Sequence, residues 1–119
     1  MENVTMTPDP QDVEQNKVMA ILAYIIFLIP LFAAKDSPYA RFHTNQGLLV
    51  LLLAIGLGIV FFILAFIGAL IAPALGGIIY IISLVCNLGV FVLVILGIVN
   101  AAQGQMKELP VIGKYRILK

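Results

Sequence analysis

Polar and apolar residues follow one another along the chain in long blocks rather than with the short period of a surface helix. Met1 to Asn16 is polar, carries Pro8 and Pro10, and holds the acids Glu2, Asp9, Asp12 and Glu14. Residues 1–16 therefore read as a mobile acidic N-terminal tail. Asp12 with Gln15 has the form of a capping box and predicts a helix start just ahead of the first apolar run. That run, Val18 to Ala34, lies between Lys17 and Lys35. At ~1.5 Å per residue it reaches about 25 Å, against a hydrocarbon core of about 30 Å, and lysines at both ends can snorkel to make up the difference. Pro30 is expected to bend this helix in its last turn.

Lys35 to Gln46 is a polar connection in which Asp36-Ser37-Pro38 signals a turn. Tyr39-Ala40-Arg41-Phe42-His43 then supplies the aromatic and basic mixture of a headgroup layer. Two further apolar runs, about 48–72 and about 78–101, are separated by Pro73 and Gly76-Gly77. One helix across both would be longer than a bilayer requires, so a hairpin is expected. The predicted fold class is an all-α membrane protein with three transmembrane helices over residues 17–106. The last two form a tight antiparallel hairpin, and residues 107–119 make a basic, interfacial C-terminal tail.

Composition strengthens the membrane reading. The 119 residues suffice for one domain, with 62% hydrophobic and 11% charged, where soluble domains have roughly 45–50% and about 25%. Between Arg41 and Lys107 there is no Asp, Glu, Lys or Arg, and a run of that length needs lipid as its solvent. A net charge of +1 and the lack of a basic, aromatic-interleaved surface argue against nucleic acid. The single cysteine, Cys86, excludes an internal disulfide and a cysteine-rich metal site. It is expected to pack as a small apolar residue. The acidic start is unlike the basic start of a secretory signal, so no cleavage is expected.

Charge also sets an orientation. Lys35 and Arg41 lie in the first connection; Lys107, Lys114, Arg116 and Lys119 lie in the tail. The positive-inside rule puts both on the cytoplasmic side. With three spans the N-terminus lies outside and the C-terminus inside. If the first segment does not cross, the hairpin keeps its orientation and the N-terminal tail moves inside.

Helices in lipid associate through close packing and a few polar contacts, so small residues should mark the contact face. Gly58, Ala65 and Ala72 recur at heptad spacing in the second span; Gly76, Ser83, Gly97 and Gly104 follow the same spacing in the third. Folding the chain about residue 74 sets Ala65 beside Ser83, Gly58 beside Val90 and Leu51 beside Gly97. The plainer alternative is that glycine and alanine are simply common in membrane helices. Ser83 and Asn87 are the candidate polar contacts inside the membrane, as interhelical glue or as the lining of a path.

His43, Thr44, Asn45 and Gln46 form a dense polar cluster at the start of the second span. One histidine without carboxylate or thiol companions is a poor metal site, and no nucleophile is placed for it. Helix capping and headgroup hydrogen bonding is the expected use. Paired acids inside the bilayer, the mark of proton coupling, are absent from the sequence. No catalytic residue, cofactor or metal is expected, and the chain does not read as an enzyme. The tail from Leu109 to Lys119 mixes bulky apolar and basic residues and can lie on anionic lipid.

Three stretches carry a resemblance: Lys35-Asp36-Ser37-Pro38, Ala40-Arg41-Phe42-His43-Thr44-Asn45-Gln46-Gly47 and Leu109-Pro110-Val111-Ile112-Gly113-Lys114. They resemble a family of small bacterial membrane proteins of unknown function, often described as similar to the chloroplast inner-envelope protein-import component of the Tic complex. The motif made by Phe42, His43, Asn45, Gln46 and Gly47 is the most specific of these, and the resemblance implies a multi-pass protein of the bacterial inner membrane. Two functions are expected. The first is a non-enzymatic scaffold or accessory subunit that self-associates or binds a larger membrane partner. The second is an oligomeric channel or protein-translocation component with Asn87, Ser83 and Tyr80 along its path.

Overall fold

A computed structural model describes residues 8–115 and residue 117. The mobility expected of residues 1–7 and the basic side chains of Arg116 and Lys119 lie outside the described residues. The described chain is helical: α1 (Pro10–Leu22), α2 (Leu28–Ala33), α3 (Pro38–Ile71) and α4 (Pro73–Ala102). It divides into two compact units, Met1–Val50 with Leu93–Lys119, and Leu51–Val92.

In the first unit, α1 starts earlier than expected. Asp9 is its N-cap, accepting from the Gln11 amide at 3.2 Å, and Pro10 occupies the first turn, where its missing N–H is no loss. Residues 10–16 are thus helical rather than a tail, with a kink at Asn16. Asp12 does not form the expected box with Gln15. Its carboxylate accepts from the Ser37 hydroxyl, from the Tyr39 amide at 3.0 Å and from the Asn16 side chain at 2.9 Å. Ser37 in turn accepts from the Ala40 amide at 3.0 Å. Two side chains, one local and one from α1, therefore cap the start of α3, which otherwise would leave its first amides unpaired.

The single crossing expected over 18–34 is not formed. α1 ends at Leu22 and α2 begins at Leu28, so neither helix approaches the length a bilayer requires. Pro30 explains the restart. It cannot donate to the carbonyl of Ile26 and its ring would strike that carbonyl in a continuous helix, whereas the first turn of α2 tolerates it. The bend therefore falls upstream of the proline, at Ala23–Phe27, and not in a last turn.

α3 and α4 are long and apolar enough to cross a membrane. Their boundaries are wider than expected, since α3 takes in the polar stretch from Pro38 and α4 begins at Pro73. Only Ala72 separates them, and Gly76 and Gly77 continue the helix instead of breaking it. Pro73 opens α4 for the same reason Pro10 opens α1. In the second unit, the two backbones close in beside this corner. A Cβ added at Gly68 would lie 2.8 Å from Ile79 Cδ1, and one at Gly76 would lie 2.7 Å from Ala69 Cβ and 3.0 Å from the Ala65 carbonyl oxygen. Most large apolar side chains there face outward, among them Phe62 at 72% and Leu70 at 73% exposed.

α4 ends in a Schellman motif. Gly104 takes φ +73°, its amide donates to Ala101 at 3.2 Å, and the Gln105 amide donates to Asn100 at 2.8 Å. A left-handed residue at this position suits glycine and satisfies the last carbonyls of the helix. The chain is thereby turned back along the start of α3.

Candidate functional site: a buried polar lock in the first unit

The family motif lies in the first turns of α3, and its polar side chains are fully buried. Tyr39, His43, Thr44, Asn45 and Gln46 are each 0% exposed. A buried polar group without a partner costs about 1–3 kcal/mol, so the pairing of each one decides what the cluster does.

Gln46 makes a two-sided bond to the tail. Its Nε2 donates to the Gly113 carbonyl at 2.9 Å and its Oε1 accepts from the Leu109 amide at 2.9 Å. Asn45 repeats the arrangement further on, donating to the Tyr115 carbonyl at 2.8 Å and accepting from the Ile117 amide at 2.7 Å. Each side-chain amide stands in for a strand neighbour, offering one donor and one acceptor to the backbone. The Gly113 amide closes a turn onto the Leu109 carbonyl at 3.0 Å. A Cβ on Gly113 would lie 2.3 Å from the Leu109 nitrogen and 2.6 Å from Gln46 Oε1, so glycine is a steric necessity at this tail position.

His43 sits at the centre. Its Nδ1 meets the Tyr24 hydroxyl at 2.6 Å and its Nε2 meets the Gln105 carbonyl oxygen at 2.7 Å. A backbone carbonyl only accepts, so Nε2 carries the hydrogen and Nδ1 of the neutral ring accepts from Tyr24. Burial, and then the neighbouring Tyr39 phenol, push the Tyr24 hydroxyl well above the ordinary phenol range, which keeps it a donor. Tyr24, Tyr39 and Phe42 surround the imidazole edge-on, with centroids 5.5, 4.9 and 5.1 Å away. The Tyr39 hydroxyl donates to the Ala101 carbonyl, and Thr44 donates back to Ala40 at 2.7 Å.

Two glycines let the α1–α2 break reach this cluster. A Cβ at Gly47 would lie 1.9 Å from the Ala23 carbonyl oxygen, and one at Gly97 would lie 2.2 Å from the Tyr24 ring. Gly97 is thus a close-packing glycine whose neighbour is Tyr24. Gly58 has nothing within 4 Å of such a Cβ, and Ala65 lies beside Gly76. Ser83 is buried and donates to the Tyr80 carbonyl at 2.8 Å. Asn87 is exposed and donates to the Ser83 carbonyl at 2.9 Å.

With both ring nitrogens of His43 engaged and both amides paired, the cluster can hold the tail against α3. Among the described residues, no group of three or more His, Cys, Asp or Glu side chains gathers as metal ligands. Sequence reading missed Gln105 altogether and misplaced Tyr39, which is buried against His43 rather than set in a headgroup layer. Tyr24 packs, as a buried partner of His43. Asp12 carried a signal as a capping residue, and the helix it caps is not its own.

Residues 15–117 match the magnetosome magnetite crystal formation protein family. The chain belongs to that family. The matched stretch takes in the motif from Phe42 to Gly47 and the tail it binds, so the lock falls inside the family's span. The small bacterial membrane protein expected from those motifs is in keeping with this family, whereas the likeness to the Tic import component finds no support in the match. No curated protein and no solved structure matches the chain.

Proposed function

We propose that the chain is a non-enzymatic scaffold or accessory subunit of the magnetosome membrane, serving crystal formation through helix–helix association with further copies or a larger membrane partner. The observation that carries this reading is Asn87. It stands near the middle of α4, exposed, with its amide nitrogen bonded to its own helix and its amide oxygen unbonded among the described residues. An amide at that depth is costly when it faces hydrocarbon, and a neighbouring helix relieves the cost. Gly58 supports the same reading, because its open Cα surface allows a second helix to come close.

In this reading α3 and α4 cross as an antiparallel pair. The connection with Lys35 and Arg41 and the tail with Lys107 and Lys114 lie at the cytoplasmic face, on anionic lipid. Asp12 is tied to Ser37 and Tyr39, so the N-terminal segment shares that face in place of the outside position that three spans would give. A second reading, an oligomeric channel, is favoured by the same exposed Asn87 if several copies surround a wet path.

Self-association of the purified chain in lipid vesicles, followed by energy transfer between labelled copies, tests the proposal. Asn87→Leu should weaken it by about threefold or more, given ~0.6 kcal/mol or somewhat above for such a contact. Undiminished association in the variant would remove the reading. Ion leakage that appears with the native chain and disappears with the variant would favour the channel.

A further inference from the structure

We infer that residues 13–36 form a re-entrant wedge, which enters and leaves the same leaflet and takes lipid acyl chains as its partner. This rests on the chain residing in a bilayer, and it does not depend on the scaffold reading.

The ends of the segment meet. Asp12 precedes it, Ser37 and Tyr39 follow it, and the Asp12 carboxylate bonds both. Asp9, Gln11, Asp12, Gln15 and Asn16 accordingly line one open cleft with residues 32–38. A segment whose ends are one hydrogen bond apart cannot cross a core of about 30 Å.

Its depth is limited as well. The Ala23 carbonyl packs against Gly47, and the α3 axis from Pro38 to Gly47 is about 13 Å long at ~1.5 Å per residue. Even with Pro38 set at the edge of the hydrocarbon, the apex therefore reaches less than half-way through it.

Non-helical backbone at such depth must satisfy its own polar groups. The amides of Ala23 to Ile26 do so internally. Ala23 donates to Met19 at 3.1 Å, Tyr24 to Ile21 at 3.2 Å, Ile25 to Leu22 at 3.0 Å and Ile26 to Leu22 at 2.7 Å. Ala23 and Tyr24 themselves are buried.

The outer surface fits acyl chains. Ile25, Ile26, Leu28 and Phe32 are 61, 49, 52 and 72% exposed. Lys17 and Lys35 bound its apolar stretch, and in a wedge both can reach headgroups at one face. A helix pair of this shape wedges one leaflet only.

The test uses the full chain in vesicles on a Cys86→Ala background. Glu14→Cys and Asp36→Cys, both at exposed positions, report sidedness to an impermeant maleimide. Ile26→Cys carries an environment-sensitive fluorophore, and Phe62→Cys on α3 serves as the control for bilayer residence. Labelling of positions 14 and 36 from the same side is expected. So is a blue-shifted emission at position 26, quenched more by lipids brominated near the headgroup than by lipids brominated near the chain end. Labelling from opposite sides, or deeper quenching at position 26, would mean a crossing helix and overturn the inference. Emission at position 26 that lipid bromines do not quench would mean water or a protein cover, and would also overturn it. Failure of quenching at position 62 as well would instead remove the membrane reading itself.

Discussion

The side-chain amide of Gln46 donates to the Gly113 carbonyl at 2.9 Å, across a sequence separation of 67 residues. The same amide accepts from Leu109, so one side chain holds both ends of the turn. Gln46→Leu would leave a buried N–H and a buried C=O unpaired, at about 1–3 kcal/mol each. The expected outcome is release of residues 107–119 while α3 and α4 stay intact. Limited proteolysis in detergent should cut the variant's tail at protease levels that spare the native chain. Equal protection of both tails would show that the amide is not what holds it.

Gly58 and Gly97 share a spacing in the sequence but not a surrounding. A side chain at Gly97 meets the Tyr24 ring, and one at Gly58 meets nothing. Gly97→Leu should therefore destabilise by about 1–3 kcal/mol or more through overpacking. Gly58→Leu should leave monomer stability within about 0.5 kcal/mol, as an open surface position does. Thermal unfolding of both variants in one detergent separates them. Equal losses would mean that Gly58 is packed in the monomer.

These two glycines also show what could be read beforehand. The apolar blocks predicted α3 and α4 because lipid-facing helices need no periodicity, only length and freedom from charge. Asp36-Ser37-Pro38 was legible as a turn but not as the start of α3, although a hydroxyl cap and a first-turn proline act locally there. The seven-residue stripe was weaker evidence. Its spacing does not say which neighbour each glycine meets, and Gly97 meets Tyr24 from a segment expected to form a separate span. The polar motif was legible as a cluster and not as a lock, because its partners are mostly backbone atoms of residues 105–117, which any sequence supplies. Val18–Ala34 misled for a physical reason. Its composition suits a crossing helix; Pro30 was legible as a bend but not as a restart, and the bonds from Asp12 that bring the two ends together are tertiary.

Tyr24 gives the fold an alkaline limit. Its phenol titrates well above the ordinary range in the folded chain, chiefly through burial. The unfolded chain loses this proton first, so the contribution is fully present below the ordinary phenol pKa of about 10 and falls as pH rises through and beyond it. Stability measured from pH 9 upward should decline, and Tyr24→Phe should flatten that decline. The variant should also cost about 1–3 kcal/mol at neutral pH, because Nδ1 of His43 loses its donor. An unchanged alkaline slope in Tyr24→Phe would assign the decline to another group.

Asp12 contributes to a helix that begins at Pro38, beyond the break and the whole of α2. Asp12→Asn keeps the size of the side chain and one acceptor oxygen, but replaces the other with a donor that the Tyr39 amide cannot use. The charge-assisted bonds to Ser37 and Tyr39 weaken, and such bonds are worth roughly 1.5–3 kcal/mol. Asp12→Ala removes both acceptors and should cost more, releasing α1 from the start of α3. Hydrogen exchange distinguishes this from general loosening. The Tyr39 amide should exchange faster in Asp12→Ala, whereas the amides of Leu109 and Ile117, held by Gln46 and Asn45, should keep their protection. Parallel loss at all three would mean that the Asp12 contact and the tail lock unfold as one cooperative unit, and the two would then have to be treated as a single device.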